Sequence, residues 1–289
     1  MVAANDLTTL ANVKPFCSNA ANADAVLGRL ITQASRFIYG YLNLPTLLPT
    51  PVTEVLDGGG SDRWANIDEE AGRRIGFTRR PILSLTSLTI DGVAIDQAAD
   101  PAPGTFPQGW VLDAWDGTVP GNAQFLTLRG CQRFTRGRRN VVVSYVAGYQ
   151  ISAEAATVPN ASPYQVAPAQ PAGRIASDVG VVYASGGTPL VPIATGTPAQ
   201  GQYLLDLTAG AYTFASADAG AGVLLTYGFI PADLEQVCIE IVAERYSYKD
   251  RIGVMSKSLA TQETVSYSPR TMSAYVQSIL DNYRDPVFA

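Results

Sequence analysis

The stretch from Pro231 to Arg251, PADLEQVCIEIVAERYSYKDR, decides how the rest of the chain is read. Leu234, Val237, Cys238, Ile241, Val242 and Tyr246 recur at the three-four spacing that puts them on one face of a helix. Pro231 suits the first helical position, where a missing N–H costs nothing, and Asp233 and Glu235 lie where the positive end of the helix dipole favours carboxylates. Lys249 and Arg251 sit at the negative end, before Gly253. A second helix is expected after Ser268 and Pro269, with the apolar set Met272, Tyr275, Val276, Ile279, Leu280 and Tyr283 and a stop at Asp285 and Pro286. The link between the two, Gly253 to Tyr267 (GVMSKSLATQETVSY), has no helical period and is long for neighbouring helices. It reads either as an arm for contact outside the subunit or as a segment folded onto its own domain.

Outward from this stretch, Leu27, Leu30, Ile31, Ala34, Phe37, Ile38 and Tyr41 predict a helix from about Asn22 to Leu42, stopped by Pro45, whose stripe needs the C-terminal helices as partner. Thr8 or Thr9 caps a short helix before it. From Pro51 the period changes to two. Val52 to Leu56 is a strand, Asp57 to Asp62 a turn, and Arg73 to Thr78 its expected partner. Leu83 to Ile90 runs through the Asp91-Gly92 turn into Val93 to Ile95, and Trp110 to Leu112, Phe125 to Leu128 and Val141 to Val146 complete an antiparallel sheet. Asn160 to Gly173, rich in Ala, Pro, Ser and Gln, reads as a linker. Short strands follow at Val179 to Ala184, Leu190 to Ile193, Tyr203 to Asp206, Ala211 to Phe214 and Val223 to Tyr227, at sandwich-like spacing. An internal echo links Val141-Val142-Val143-Ser144-Tyr145, followed by Gly148-Tyr149, with Val223-Leu224-Leu225-Thr226-Tyr227, followed by Gly228-Phe229. The expected fold is therefore α+β: N- and C-terminal helices with an antiparallel sheet over residues 1–149 and 230–289, and an inserted all-β, sandwich-like domain over 150–229.

The 289 residues are 47% hydrophobic and 16% charged, a globular composition with net charge −5, which argues against a broad basic face gripping nucleic acid. No histidine is present, which removes His-based acid-base catalysis, Ser-His and Cys-His nucleophiles and His-ligated metals. Cys17, Cys131 and Cys238 are far apart and read as thiols of a reducing compartment. Neither a signal peptide nor a membrane-spanning run is expected, so synthesis in the cytosol follows.

The N-terminal run VLGRLITQASRFIYGYL, the sheet segment RRPILSLTSLTIDG and above all PADLEQVCIEIVAERYSYKDRIGVMSKSLATQETVSYS resemble the bacteriophage head-tail connector, or head-completion adaptor, family. The resemblance covers roughly Leu7 to Tyr149 and Ile230 to Arg284, and is most specific over Ala232 to Ser268. It implies a structural virion protein of the head-tail neck, assembled in the host cytoplasm. Such a protein is a homo-oligomeric ring, expected as a dodecamer, that docks beneath the portal. The ring extends the DNA channel, lets genomic DNA pass without sequence specificity, and presents a surface to the next neck or tail protein. It also implies portal contact through the C-terminal region: Lys249, Arg251, Ser256, Lys257, Ser258, Leu259, Thr264, Val265, Tyr267, Tyr275 and Tyr283 are the expected portal or subunit interface.

Other candidate sites are weaker. Asp57 and Asp62 with Asp68, Glu69 and Glu70 form the carboxylate-dense region, read as a turn with a solvated acidic face rather than a cation site or a glycosidase pair. Arg133, Arg136, Arg138 and Arg139, with Arg73, Arg74, Arg79 and Arg80, are the basic clusters, open to pairing with a neighbouring subunit or portal, to solvent, or to DNA. Ser256-Lys257-Ser258 offers no fixed Ser-Lys geometry. No catalytic residue, cofactor or metal is expected, and the chain reads as a non-enzyme. The alternative is a β-rich virion module that recognises carbohydrate or a host surface through residues 150–229.

Overall fold

The computed structural model describes residues 5–18, 20, 22–58, 73–100, 105–112, 124–169, 173–249, 256–258, 264–266 and 272–284. The chain is α+β. Helix α1 (Leu10–Val13) is capped by Thr9, whose hydroxyl accepts the Asn12 N–H, and leads through a 3-10 turn into α2 (Asp24–Leu42). Asp24 opens α2 with an ion pair to Lys14 at 2.8 Å. Asn43 ends it in the left-handed conformation, φ 59°, and the Leu44 N–H returns to the Tyr39 carbonyl.

Strand β1 (Thr50–Gly58) then enters a sheet of order β1-β7-β3-β4, with β3 (Ile82–Ile90), β4 (Val93–Ile95) and β7 (Gly137–Ala147). The Asp91-Gly92 turn has positive φ at both residues, 52° and 79°, and joins β3 to β4 as a hairpin. A second sheet, β2-β6-β5, comprises Arg74–Gly76, Phe125–Arg129 and Gly109–Leu112. The expected return of Arg73 to Thr78 onto Val52 to Leu56 is corrected here: β2 pairs with β6, Arg74 opposite Thr127, while β1 pairs with β7, Thr50 opposite Ala147. The alternation of β1 explains the choice. Val52, Glu54 and Leu56 share one face and register against Tyr145, Val143 and Val141, whose inward side chains fill the same core.

After Tyr149 the chain forms β8 (Gln150–Thr157), β10 (Gly173–Tyr183) and β14 (Gly222–Pro231) in the order β10-β14-β8. A further sheet, β11-β12-β13-β9, holds Val191–Pro192, Gln202–Asp206, Ala211–Phe214 and Gln165–Val166. The segment expected as a linker thus contains β9, which pairs with β13 because Val166 has a buried place to fill. The ends of the 150–229 segment meet: the Phe229 N–H donates to the Tyr149 carbonyl at 3.1 Å and the two rings stand edge to face at 5.8 Å.

Helix α3 (Ala232–Tyr248) follows β14 without a loop, so Pro231 is the last strand residue and not the first helical one. Its burial differs from a single stripe. Ile239 is buried along with Leu234, Val237, Cys238, Val242 and Tyr246, whereas Ile241 is only half-buried. α3 meets α1, α2, α4, β10 and β14, so several sides of it are covered. Helix α4 (Ala274–Tyr283) begins later than expected, with Ser273 as the cap accepting the Val276 N–H; Ser268, Pro269, Asp285 and Pro286 lie outside the described residues.

Two buried clusters result. One joins Leu27, Ile31 and Ile38 of α2 and the α3 and α4 residues to Val158, Val181, Tyr203, Tyr212, Val223 and Tyr227. The other holds Phe77, Leu88, Trp110, Leu126, Val141, Val143 and Tyr145 between the first two sheets. Segment 150–229 therefore shares its core with the helices. Leu48-Pro49 threads between the echoed glycines: a Cβ on Gly148 (φ 142°) would lie 2.5 Å from the Leu48 carbonyl carbon, and one on Gly228 2.8 Å from Pro49 Cδ. No helix among the described residues is long and apolar enough to cross a membrane.

Candidate interface

Two sets of polar contacts tie the elements together, the first at the helices and the second mostly within the sheets. Glu235, in the first turn of α3, accepts from Asn12 Nδ2 at 2.7 Å and Thr8 Oγ1 at 3.0 Å, and faces Arg174 Nε of β10 at 3.7 Å. Arg174 Nη2 also donates to the Asp6 carbonyl at 2.8 Å, so the N-terminal segment, β10 and α3 are tied at one point. Burial there lowers the Arg174 pKa from its ordinary value, opposed by the Glu235 charge, and pushes Cys238 up to about 12.

The second set pairs tyrosines with carboxylates. Tyr145 donates to Glu54 at 2.6 Å and Tyr227 to Glu154 at 2.5 Å. Tyr203 and Tyr183 donate to Asp178 and Asp218 at 2.5 and 2.7 Å, and Tyr283 to Asp233 at 2.8 Å. Glu54 also accepts from the Thr78 hydroxyl. In each pair the phenol O–H takes the place that a basic side chain would otherwise fill, and burial, then the carboxylate, raises the tyrosine pKa. Sequence reading missed this network. The signal available was Glu54 on the same strand face as Val52 and Leu56, a carboxylate in an apolar row.

The expected interface residues divide into four groups. Ser256, Lys257 and Ser258 form β15, and Thr264 and Val265 lie in β16 (Thr264–Ser266); the strands pair antiparallel, Ser256 opposite Ser266, as a two-stranded sheet of their own. Tyr275 on α4 is 64% exposed, and Lys249 caps α3 with its ammonium 4.1 Å from the Tyr246 ring centroid. Arg251, Leu259 and Tyr267 lie outside the described residues. Tyr283 is corrected: it is only 8% exposed, its hydroxyl is held by Asp233 and its ring lies 6.0 Å from that of Tyr149, so it is a core residue of this subunit.

Of the carboxylate-dense region, Asp57 accepts the Arg139 N–H at 2.6 Å, and Asp62, Asp68, Glu69 and Glu70 lie outside the described residues. Arg133, Arg136, Arg138 and Arg139 are all exposed, the first two on the loop between β6 and β7 and the last two at the start of β7. Among the described residues no group of three or more Cys, Asp or Glu side chains is placed to hold a metal ion. The chain matches no known protein-family model and no curated protein.

Proposed function

We propose that this chain is a structural adaptor of the bacteriophage neck, a head-tail connector that assembles as a homo-oligomeric ring below the portal, extends the DNA channel and docks the next neck or tail protein. One observation carries the reading: α3 and α4 are packed into the helical core, while the chain between them pairs with itself as β15-β16 and joins neither large sheet. A two-stranded ribbon that pairs with itself is suited to dock by its backbone in a groove or at a sheet edge of a partner. Exposed Tyr275 on the neighbouring helix adds an aromatic anchor of the kind favoured at interfaces.

The carbohydrate-binding alternative has little to work with. Tyr203, Tyr212, Phe214, Tyr227 and Phe229 are buried and Tyr164 and Tyr183 are half-buried, so among the described residues of 150–229 no aromatic ring is exposed as a sugar platform.

The test is capture by purified portal protein. The wild-type chain should bind, and Lys257→Glu with Val265→Asp should weaken binding at least about tenfold, as expected when central interface contacts are lost. Tyr275→Ser should weaken it less, with circular dichroism unchanged in both. A wild-type chain that fails to bind portal, or a hairpin variant that binds as well as wild type, overturns the adaptor reading.

A further inference from the structure

Arg129, Arg133, Arg136, Arg138 and Arg139 stand within eleven positions, in a chain that has 20 Lys and Arg in all and a net charge of −5. All five are exposed, and none makes a side-chain hydrogen bond or ion pair with a described residue. Carboxylates are nearby, yet they are used otherwise. Asp91 Oδ1 accepts from Asn140 Nδ2 at 3.0 Å and its other oxygen accepts from the Thr135 hydroxyl, while Asp57 accepts the backbone N–H of Arg139.

Those bonds fix the loop. Asn140 is its hub: Nδ2 donates also to the Thr135 carbonyl at 3.0 Å, Oδ1 accepts the Gly58 N–H at 2.9 Å, and the Asn140 carbonyl accepts the Asp91 N–H at 2.8 Å. Phe134 is buried in the second core, and Arg139 is held at φ 53°, a left-handed conformation that non-glycine residues adopt only under such constraint. The local acids therefore hold the backbone, and among the described residues none neutralises these guanidiniums. The other exposed loop residues are Cys131 and Thr135, Gly130 and Gln132 are half-buried, and the one aromatic side chain of the loop, Phe134, is turned into the core. A protein partner needs an apolar centre, which this patch lacks; a hydrated polyanion needs only fixed, unpaired charge.

We propose that the 129–139 loop is a binding surface for the phosphate backbone of duplex nucleic acid, independent of base sequence. Arginine suits this role because its planar fork can take two phosphate oxygens and stays charged. The inference rests on the loop alone and stands whether or not the chain docks on a portal.

The test is fluorescence anisotropy of a labelled duplex of random sequence, titrated with the full chain at about 50 mM and about 200 mM salt. Four phosphate contacts should give a log-log salt slope of about −3.6, hence a loss of roughly a hundredfold in affinity between the two conditions. Replacing Arg133, Arg136, Arg138 and Arg139 together by Ala should abolish binding, and each single Arg→Ala should reduce the slope by about 1. The four-Lys variant should keep most of the slope, which separates lost charge from a damaged fold. A dye on Cys131, exposed in the loop while Cys17 and Cys238 are buried, should respond to duplex in the wild type. The proposal falls if wild type does not bind duplex at about 50 mM salt, or if the four-Ala variant binds as well. It also falls if that variant loses only self-association in sedimentation, which would assign the patch to an acidic face of a second copy.

Discussion

Strands β7 and β14 carry similar runs, Val141 to Tyr145 and Val223 to Tyr227, yet they end in different surroundings. Each is central in its sheet, β7 between β1 and β3 and β14 between β10 and β8. In each the tyrosine donates to a glutamate that stands opposite the residue two places earlier, Glu54 opposite Val143 and Glu154 opposite Leu225. The difference begins after the tyrosine. Over the runs themselves both strands alternate alike, buried at Val141, Val143 and Tyr145 and at Val223, Leu225 and Tyr227 with half-buried residues between, but the next residue is half-buried Val146 in β7 and buried Gly228 in β14. Leu48-Pro49 covers one side of Gly228 and α3 starts from Pro231, so the second face of β14 is closed as well. Two similar runs thus keep the same one-faced alternation, and what packs on the far side differs only from the residue after the tyrosine onward.

The echoed glycines give the largest test of that contrast. Gly148→Ala meets the Leu48 backbone and forces a side chain into positive φ, and should cost about 2–5 kcal/mol of stability by chemical denaturation. Gly228→Ala meets the Ser177 hydroxyl, which can rotate, and Pro49 Cδ, and should cost about 1–3 kcal/mol. If Gly228→Ala is the more damaging, the threading segment is held by β14 and not by β7.

The glutamates come next. Glu54→Ala strands donors from both Tyr145 and Thr78 inside the second core and should cost about 2–3 kcal/mol; Glu154→Ala strands the Tyr227 hydroxyl but leaves the exposed Ala169 N–H to water, at about 1–2 kcal/mol. Equal losses would show that the two pairs are interchangeable despite their different surroundings.

The smallest effect at neutral pH, and the most distinctive at high pH, concerns the phenols. Burial pushes Tyr39 up to about 12, and Tyr145, Tyr203, Tyr212, Tyr227 and Tyr283 are raised further. Because the folded values lie above that of an unfolded tyrosine, about 10, each group's contribution is complete below that pH and is lost as pH rises toward the folded value. Phenolate absorbance of these residues should appear together with loss of near-ultraviolet circular dichroism, as one cooperative alkaline transition. Tyr145→Phe and Tyr227→Phe should each make that transition less steep; independent titration of the tyrosines in a still-folded chain would show that the network does not couple them to folding.

The parts legible in the sequence are those specified by near neighbours. The α2 helix and the Asp91-Gly92 hairpin are set within a few residues, and the structure has both, although Phe37 of the expected stripe is exposed where Leu27, Ile31, Ala34 and Ile38 are buried. The partner of β1 is not local. Thr50 meets Ala147, and a reading that favours the next strand in sequence chooses Arg73 to Thr78 instead. Tyr283 shows the same limit in part, since its place in the apolar row with Val276 and Leu280 is legible but its acceptor Asp233 lies 50 positions away. For the basic loop, the arginines are visible as composition, but its fixity depends on Asn140 reaching Gly58 and Asp91 from separate strands.

The hydrogen bond from Phe229 to Tyr149 has a meaning for lineage as well as for packing. It closes the excursion through β8 to β14 at the end of the β8-β14 ladder, where Gln150 stands opposite Gly228, and polymer statistics charge little for changing the size of such a loop, about 0.6 kcal/mol per doubling. Relatives that lengthen or shorten this excursion would keep the same doorway. What they would have to preserve is the apolar wall that Val158, Val223 and Tyr227 share with the helices, so growth should accumulate at the outer β11-β12 rim and spare the strands nearest the door.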